Sequence, residues 1–179
     1  MPCLCPITLT PVIRACEANV AGGIAEVYIA ERCDVASITT TALTGVVSAI
    51  AMVGGATFTT FQQKKNVANM TTTANISEAG VVTYQTDVNI KFNKLDAAKR
   101  LNFMALAQGD TIAIVRMVNG DYWLVGEEFY TSLSAGTINS GTNMTDAQQY
   151  DVTLQEVSSF APKKIEMATI DTILDTNAM

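Results

Sequence analysis

Residues 93–126 read NKLDAAKRLNFMALAQGDTIAIVRMVNGDYWLVG, and this segment predicts one helix followed by a β-hairpin. Asn93 is placed where an N-cap accepts a hydrogen bond from a free backbone N–H, and Asp96 would face the positive end of the helix dipole. Apolar residues recur at three- and four-residue steps, which gathers them on one face. They are Leu95, Ala98, Leu101, Met104 and Ala105. Gly109 follows where a helix commonly ends in left-handed backbone, so we expect a helix over about residues 94–108.

The hairpin is expected to turn on Asn119-Gly120. Residues 111–118 and 121–125 are rich in β-branched and aromatic side chains, which favour strands. Asn-Gly accepts positive φ at both central positions of a type I′ turn, the turn that best fits the twist of the flanking strands. The sequence therefore predicts two antiparallel strands directly after the helix.

The remaining pattern is also that of a β protein. Residues 82–92 alternate apolar and polar side chains, as expected of a long half-buried strand. Further strands are predicted over residues 22–31, 38–43, 127–133 and 150–157, with a turn region over 136–146. Residues 44–80 carry little apolar alternation, so they predict a long extended loop or hairpin, a feature often ordered by a binding partner.

Length and composition indicate a single domain over residues 1–179. Hydrophobic residues make up 49% of the chain and charged residues only 16%, which suits a globular protein with a real core. The core is predicted over residues 22–160, while segments 1–21 and 162–179 are candidate assembly arms. The chain shows no long apolar run for a transmembrane helix and no basic leader, so we expect neither a membrane span nor a signal peptide.

The net charge of −6 and the sequence pI near 4.5 make a tight grip on a nucleic acid backbone unexpected. Such a grip needs clustered Lys and Arg that neutralise phosphates. An acidic protein would let DNA pass without adhering. Solubility is the simpler interpretation of the same charge and is the one favoured.

Residues for catalysis or for holding a cofactor are missing from the pattern. The chain has no histidine, which removes the usual nucleophile partner and proton shuttle. Glu127 and Glu128 are adjacent, so on a strand they would point to opposite faces instead of converging. The four cysteines, Cys3, Cys5, Cys16 and Cys33, match no common zinc spacing and are expected to be reduced. We therefore expect no enzyme, no metal and no cofactor.

Several segments resemble the major tail tube proteins of tailed bacteriophages. The resemblance rests on the helix over residues 95–107 and on five short motifs. These are GGIAEVY (22–28), NGDYWLVG (119–126), SAGT (134–137), GTNMTD (141–146) and YDVTLQ (150–155). Together they span most of residues 22–160.

This resemblance implies a mostly β fold, a β-sandwich or barrel of antiparallel strands flanked by one helix. It implies a structural virion protein that polymerises into stacked, hexameric rings, assembled in the bacterial cytoplasm and forming the tail tube that conducts phage DNA. Its partners would be copies of itself and other tail proteins, with DNA passing through the lumen and no membrane involved. A related ring component, such as a tail terminator, a baseplate hub or the tube of a contractile injection system, is the alternative. A monomeric ligand-binding β-barrel is more distant.

Candidate contact residues follow from this picture. Polar positions on predicted strand faces, Glu26, Asp151 and Gln155, are expected to line the lumen, where like charge keeps DNA from adhering. The segment 44–80 is expected to reach the next ring. Its candidate contacts are Phe58, Phe61, Gln62, Lys64 and Lys65. The apolar side chains among them would dominate the affinity, because an exposed charge pair contributes only about 0–1 kcal/mol.

Overall fold

Two β-sheets and one α-helix make up the part of the chain that the computed structural model describes, residues 21–42, 44–63, 67–166 and 170. The strands before the helix are β1 (Ile24–Glu31), β2 (Val35–Thr40), β3 (Val47–Met52), β4 (Thr59–Gln62), β5 (Asn69–Ile76) and β6 (Val82–Asn93). The helix α1 (Ala97–Gln108) comes next. It is followed by β7 (Thr111–Met117), β8 (Tyr122–Val125), β9 (Ser132–Asn139), β10 (Gln149–Ser158) and β11 (Lys163–Ile165).

The larger sheet has seven strands in the order β2-β3-β11-β8-β7-β1-β4, and the smaller has four in the order β5-β6-β10-β9. All pairings are antiparallel except that of β11 with β3. The predicted mostly β, sandwich-like fold with one flanking helix is confirmed. Over the described residues the strands do not close into a barrel, because each sheet ends in strands that do not pair with one another.

The first core lies between the two sheets. Val27 and Ile29 of β1 belong to the same buried cluster as Val88 and Ile90 of β6 and Leu154 of β10. The alternation predicted for β6 produces this arrangement, since every second side chain points to the same face of a strand. Each aliphatic side chain buried in this way contributes about 1.5–3 kcal/mol.

A second core lies on the other face of the larger sheet. It joins Ile112 and Ile114 of β7 to Val47 and Ile50 of β3 and to Phe58, which precedes β4. Because strands from both halves of the sheet contribute, the sheet curls over its own face. Strand β7 is therefore covered on both sides, which explains why it is a continuous apolar run and not an alternating one.

The helix is confirmed and ends at Gln108 as predicted, but its predicted start and the left-handed backbone predicted for Gly109 are wrong. Asp96, not Asn93, is the N-cap, and its Oδ1 accepts a hydrogen bond from the Ala97 N–H at 2.7 Å. Asn93 is taken up as the last residue of β6. Gly109 has φ −105°, which is extended and not left-handed backbone.

The hairpin of β7 and β8 is confirmed, whereas its predicted two-residue turn is wrong. Gly120 has positive φ, at +90°, but Asn119 does not. The Gly120 N–H donates to the Met117 carbonyl at 3.0 Å, and the Met117 N–H donates to the Asp121 carbonyl at 2.8 Å. The loop thus has three residues, a type I turn closed by a left-handed glycine.

The long excursion predicted over residues 44–80 is replaced by β3, β4 and β5 with short connections. These strands pair in different places: β3 with β2 and β11, β4 with β1, and β5 with β6. The strand predicted at 127–133 is also shifted, because residues 127–129 form a turn and β9 begins at Ser132. Strand β11 lies inside the larger sheet, while the N-terminal arm, apart from Ala21, and most of the C-terminal arm lie outside the described residues.

Candidate functional site

The outward face of the smaller sheet is mostly polar over its four strands, with Val157 and Ala135 as its apolar positions. Side chains alternate between the two faces along β6 and β10, and the inward ones fill the first core. We call this surface the polar face. Its polar residues are Asn69, Thr71, Thr73, Asn75, Thr83, Gln85, Asp87, Asn89, Lys91, Thr137, Asn139, Asp151, Thr153 and Gln155. Two carboxylates and one ammonium among them leave a net charge of one negative.

The charges of the polar face are partnered within it. Lys91 forms an ion pair with Asp151 at 2.7 Å. Asp87 accepts hydrogen bonds from the side-chain amides of Gln85 at 3.1 Å and Gln155 at 2.7 Å. The face is therefore organised without an external ligand, and it presents mainly amide and hydroxyl groups.

The three lumen candidates do not lie together. Asp151 and Gln155 are both on β10 and both on the polar face. Glu26 is on β1 of the other sheet, where its carboxylate accepts from the Tyr28 hydroxyl at 2.6 Å and from Arg116 at 2.8 Å. Burial works to raise the pKa of Glu26, but these two hydrogen bonds and the Arg116 charge outweigh it and lower the pKa. Glu26 therefore belongs to a hydrogen-bonded cluster with Tyr28 and Arg116 in the larger sheet.

The inter-ring candidates are also dispersed. Phe58 is only 1% exposed and fills the second core, so its side chain offers no surface to another subunit. Phe61 is half-buried against Phe92, with ring centroids 5.3 Å apart. Gln62 is exposed at the end of β4, while Lys64 and Lys65 lie outside the described residues.

The two edges of the smaller sheet were missed by sequence reasoning. Strands β5 and β9 have eight residues each and are exposed over most of their length. In the described part of the chain neither has a strand partner on its outer side. Such edges present free N–H and C=O groups that can pair with another strand. The sequence signal for the β5 edge is its Thr-rich run, in which apolar and polar residues alternate only weakly.

The acidic residues at 127–128 are partnered and do not converge on a cleft. Glu127 accepts from Lys163 at 2.7 Å, and Glu128 accepts from the backbone N–H of Ser159 at 2.6 Å. This backbone bond, together with the Ser159 hydroxyl, lowers the pKa of Glu128. Among the described residues no group of three or more Cys, Asp or Glu is placed to hold a metal ion. No helix in the same part of the chain is long and apolar enough to span a membrane.

Comparison of the chain with protein-family models, curated proteins and solved structures finds no match in any of the three.

Proposed function

We propose that this protein is a structural subunit whose copies pair edge to edge, β5 against β9, into rings that stack as a tube. The observation that carries the proposal is the smaller sheet, which combines a polar face with two open edges. When each copy pairs with a neighbour on either side and the ring closes, no edge of the smaller sheet is left open, which is how closed β structures avoid uncontrolled aggregation.

Strand direction supports this pairing. The four strands of the smaller sheet alternate in direction, so β5 and β9 run opposite ways. Because a rotation about a ring axis preserves direction, β5 of one copy meets β9 of the next in antiparallel orientation. The alternation then continues through every junction.

The stagger of the sheet supports a closed ring. Strand β5 lies against residues 82–89 of β6, whereas β9 is level with residues 87–93. Aligning β5 of one copy with β9 of the next therefore makes the strands tilt relative to the ring axis. Tilt and stagger of this kind are required when a sheet closes on itself.

The register of the junction follows from which side chains face inward. Met70 of β5 is opposite the buried Val88, and Ile138 of β9 is opposite the buried Tyr150, so both face the first core. Aligning residues 69–73 with residues 135–139 keeps inward residues opposite inward residues. Thr71 then faces Thr137 across the junction, with both side chains on the polar face.

In such a ring the polar face lines the channel, and Asp151 and Gln155 lie on it. A surface rich in amides and hydroxyls with a net negative charge gives a phosphate backbone no cluster of cations to bind. This suits a conduit for DNA. With the resemblance to tail tube proteins, it supports hexameric rings in a phage tail, assembled in the host cytoplasm with other tail proteins.

Electron microscopy and size-exclusion chromatography of the purified full chain test the proposal. Rings or tubes are expected, and a stable monomer at high concentration would contradict it in favour of a ligand-binding monomer. Tubes of open length indicate the tube protein itself. Single rings that do not stack indicate a terminator or hub.

A charge-swap pair tests the junction itself. Thr71→Lys combined with Thr137→Lys sets like charges opposite each other, which destabilises a strand pair, so assembly should weaken. Thr71→Glu combined with Thr137→Lys should restore it, because the same two positions now attract. Equal assembly of the two double variants would rule out this register.

A further inference from the structure

An apolar groove opens along the inward side of β5, between that strand and the β7–β8 hairpin. Its volume is about 480 Å³, and its walls include Met70, Met117, Trp123 and Pro162. Each of these four side chains is half-buried, so the groove is open to solvent beside β5. Exposed apolar surface of this kind on a protein commonly marks an interaction site.

The opposite edge of the same sheet carries a side chain that could fill such a groove. Ile138 of β9 is 54% exposed, although it faces inward beside the buried Tyr150. The residues on either side of it, Thr137 and Asn139, are uncharged and point to the polar face. Ile138 is therefore an aliphatic group with an inward direction and incomplete cover.

We propose that the groove of one copy receives Ile138 of the neighbouring copy, which gives the ring an apolar lateral interface beneath its polar channel. This inference rests on the proposed ring assembly. The junction register sets Ile138 directly opposite Met70, one wall of the groove. One alignment of the two copies therefore both pairs β5 with β9 and fills the groove.

A second pair of exposed apolar groups meets across the same junction. The turn end of the β5–β6 hairpin carries Ile76, Val81 and Val82, which are 74%, 59% and 42% exposed. The chain just before β9 carries Phe129 and Tyr130, which are 59% and 40% exposed. In antiparallel pairing the end of β5 lies beside the start of β9, so these two groups become neighbours and reinforce the interface.

The occupant is a second copy because the groove and Ile138 lie at opposite edges of one sheet. The alternating strand directions let the β9 edge of one copy pair with the β5 edge of the next. A single copy offers one of each. Contacts between such unlike surfaces repeat from copy to copy and generate rings or filaments.

The substitution Ile138→Asp tests the inference in the full chain. A carboxylate in the groove would lose its hydration without a partner, so we expect the critical concentration for assembly to rise about tenfold or more. Val53→Asp is the matched control, because Val53 is 49% exposed but lies after β3 in the larger sheet. The control should assemble like the wild type, and Ile138→Leu should do so as well.

The only tryptophan of the chain, Trp123, provides a second readout because it lines the groove. On assembly its emission should shift to shorter wavelength and become less accessible to acrylamide. If the wild type forms rings and Ile138→Asp forms them equally well, the inference is wrong while the ring proposal stands. Unchanged Trp123 emission on assembly would overturn the inference in the same way. A wild type that forms no rings would overturn both.

Discussion

Glu156 is a carboxyl group buried between the two sheets, where carboxylates are costly. It is 4% exposed on β10, and its Oε2 accepts a hydrogen bond from the Gly126 N–H at 2.7 Å. Its Oε1 has no partner among the described residues. Burial raises the pKa of Glu156 and outweighs the backbone hydrogen bonds at Gly126 and Glu128, which lower it, while the Glu127 and Glu128 charges add to the rise. The proton on this carboxyl group is therefore linked to the packing of one sheet on the other.

Glu156→Gln should alter the pH dependence of stability in a defined direction. A carboxyl whose pKa is raised on folding contributes stability that is complete below the unfolded pKa of about 4.3 and is lost as pH rises through the folded pKa. Wild type should therefore lose free energy of unfolding relative to Glu156→Gln as pH increases from about 4 to neutrality. Urea unfolding of both proteins over this range measures it. A difference that stays constant with pH would contradict the expectation.

Helix α1 is docked on the smaller sheet through aromatic packing that depends on a glycine. The rings of Phe103 and Tyr150 have centroids 5.5 Å apart. A Cβ added at Gly136 of β9 would come within 2.8 Å of the Phe103 ring. Gly136 therefore supplies the space in which the helix approaches the strand.

Gly136→Ala should destabilise the fold by about 1–3 kcal/mol, because Phe103 must move in a packed region. Gly22→Ala is the control, since an added Cβ there meets nothing within 4 Å. Chemical denaturation measures both free energies of unfolding. Equal stabilities of the two variants would show that the helix shifts without cost.

Sequence patterns identified elements whose own residues carry the signal. The alternation of β6 and the apolar run of β7 were visible, and alternation placed Asp151 and Gln155 on the outward side of β10. The predicted apolar face of the helix was wrong, because Leu101 and Met104 are 63% and 41% exposed and the helix packs through Phe103 and Leu106 instead. Strands β3 and β4 were missed because they are short and obtain their order from distant partners. The sequence could not separate Glu26 from Asp151, because both are acidic residues on predicted strands. Which sheet each strand joins is decided by pairing with distant strands.

At the scale of the whole molecule, the polar face holds few charges in a chain of net charge −6. Its single ammonium, Lys91, is neutralised by Asp151. The ion pair is partly exposed, with side chains 26% and 29% accessible, so its worth to stability is about 0–1 kcal/mol. Its larger effect is on the electrostatic potential at this surface.

Asp151→Lys should convert the polar face from one net negative charge to one net positive charge per copy, so assembled rings should retain DNA. Co-sedimentation with short duplex DNA at about 50 mM salt should detect binding that is lost near about 200 mM, as counterion release requires. Glu31→Lys makes the same charge change at an exposed position at the end of β1. If both variants retain equal DNA, the polar face is not the surface that DNA meets.

In the proposed ring, the even number of strands in the smaller sheet has a consequence for the number of copies. Because the four strands alternate in direction, β9 of one copy is antiparallel to β5 of the next, whatever the number of copies. Hydrogen bonding at the junction is therefore satisfied equally by any number of copies. Copy number must then be fixed by the curvature of each unit. In the proposed ring, the bore of the channel is therefore set by the twist and bulges of a single subunit, such as the register shift at Thr153–Leu154.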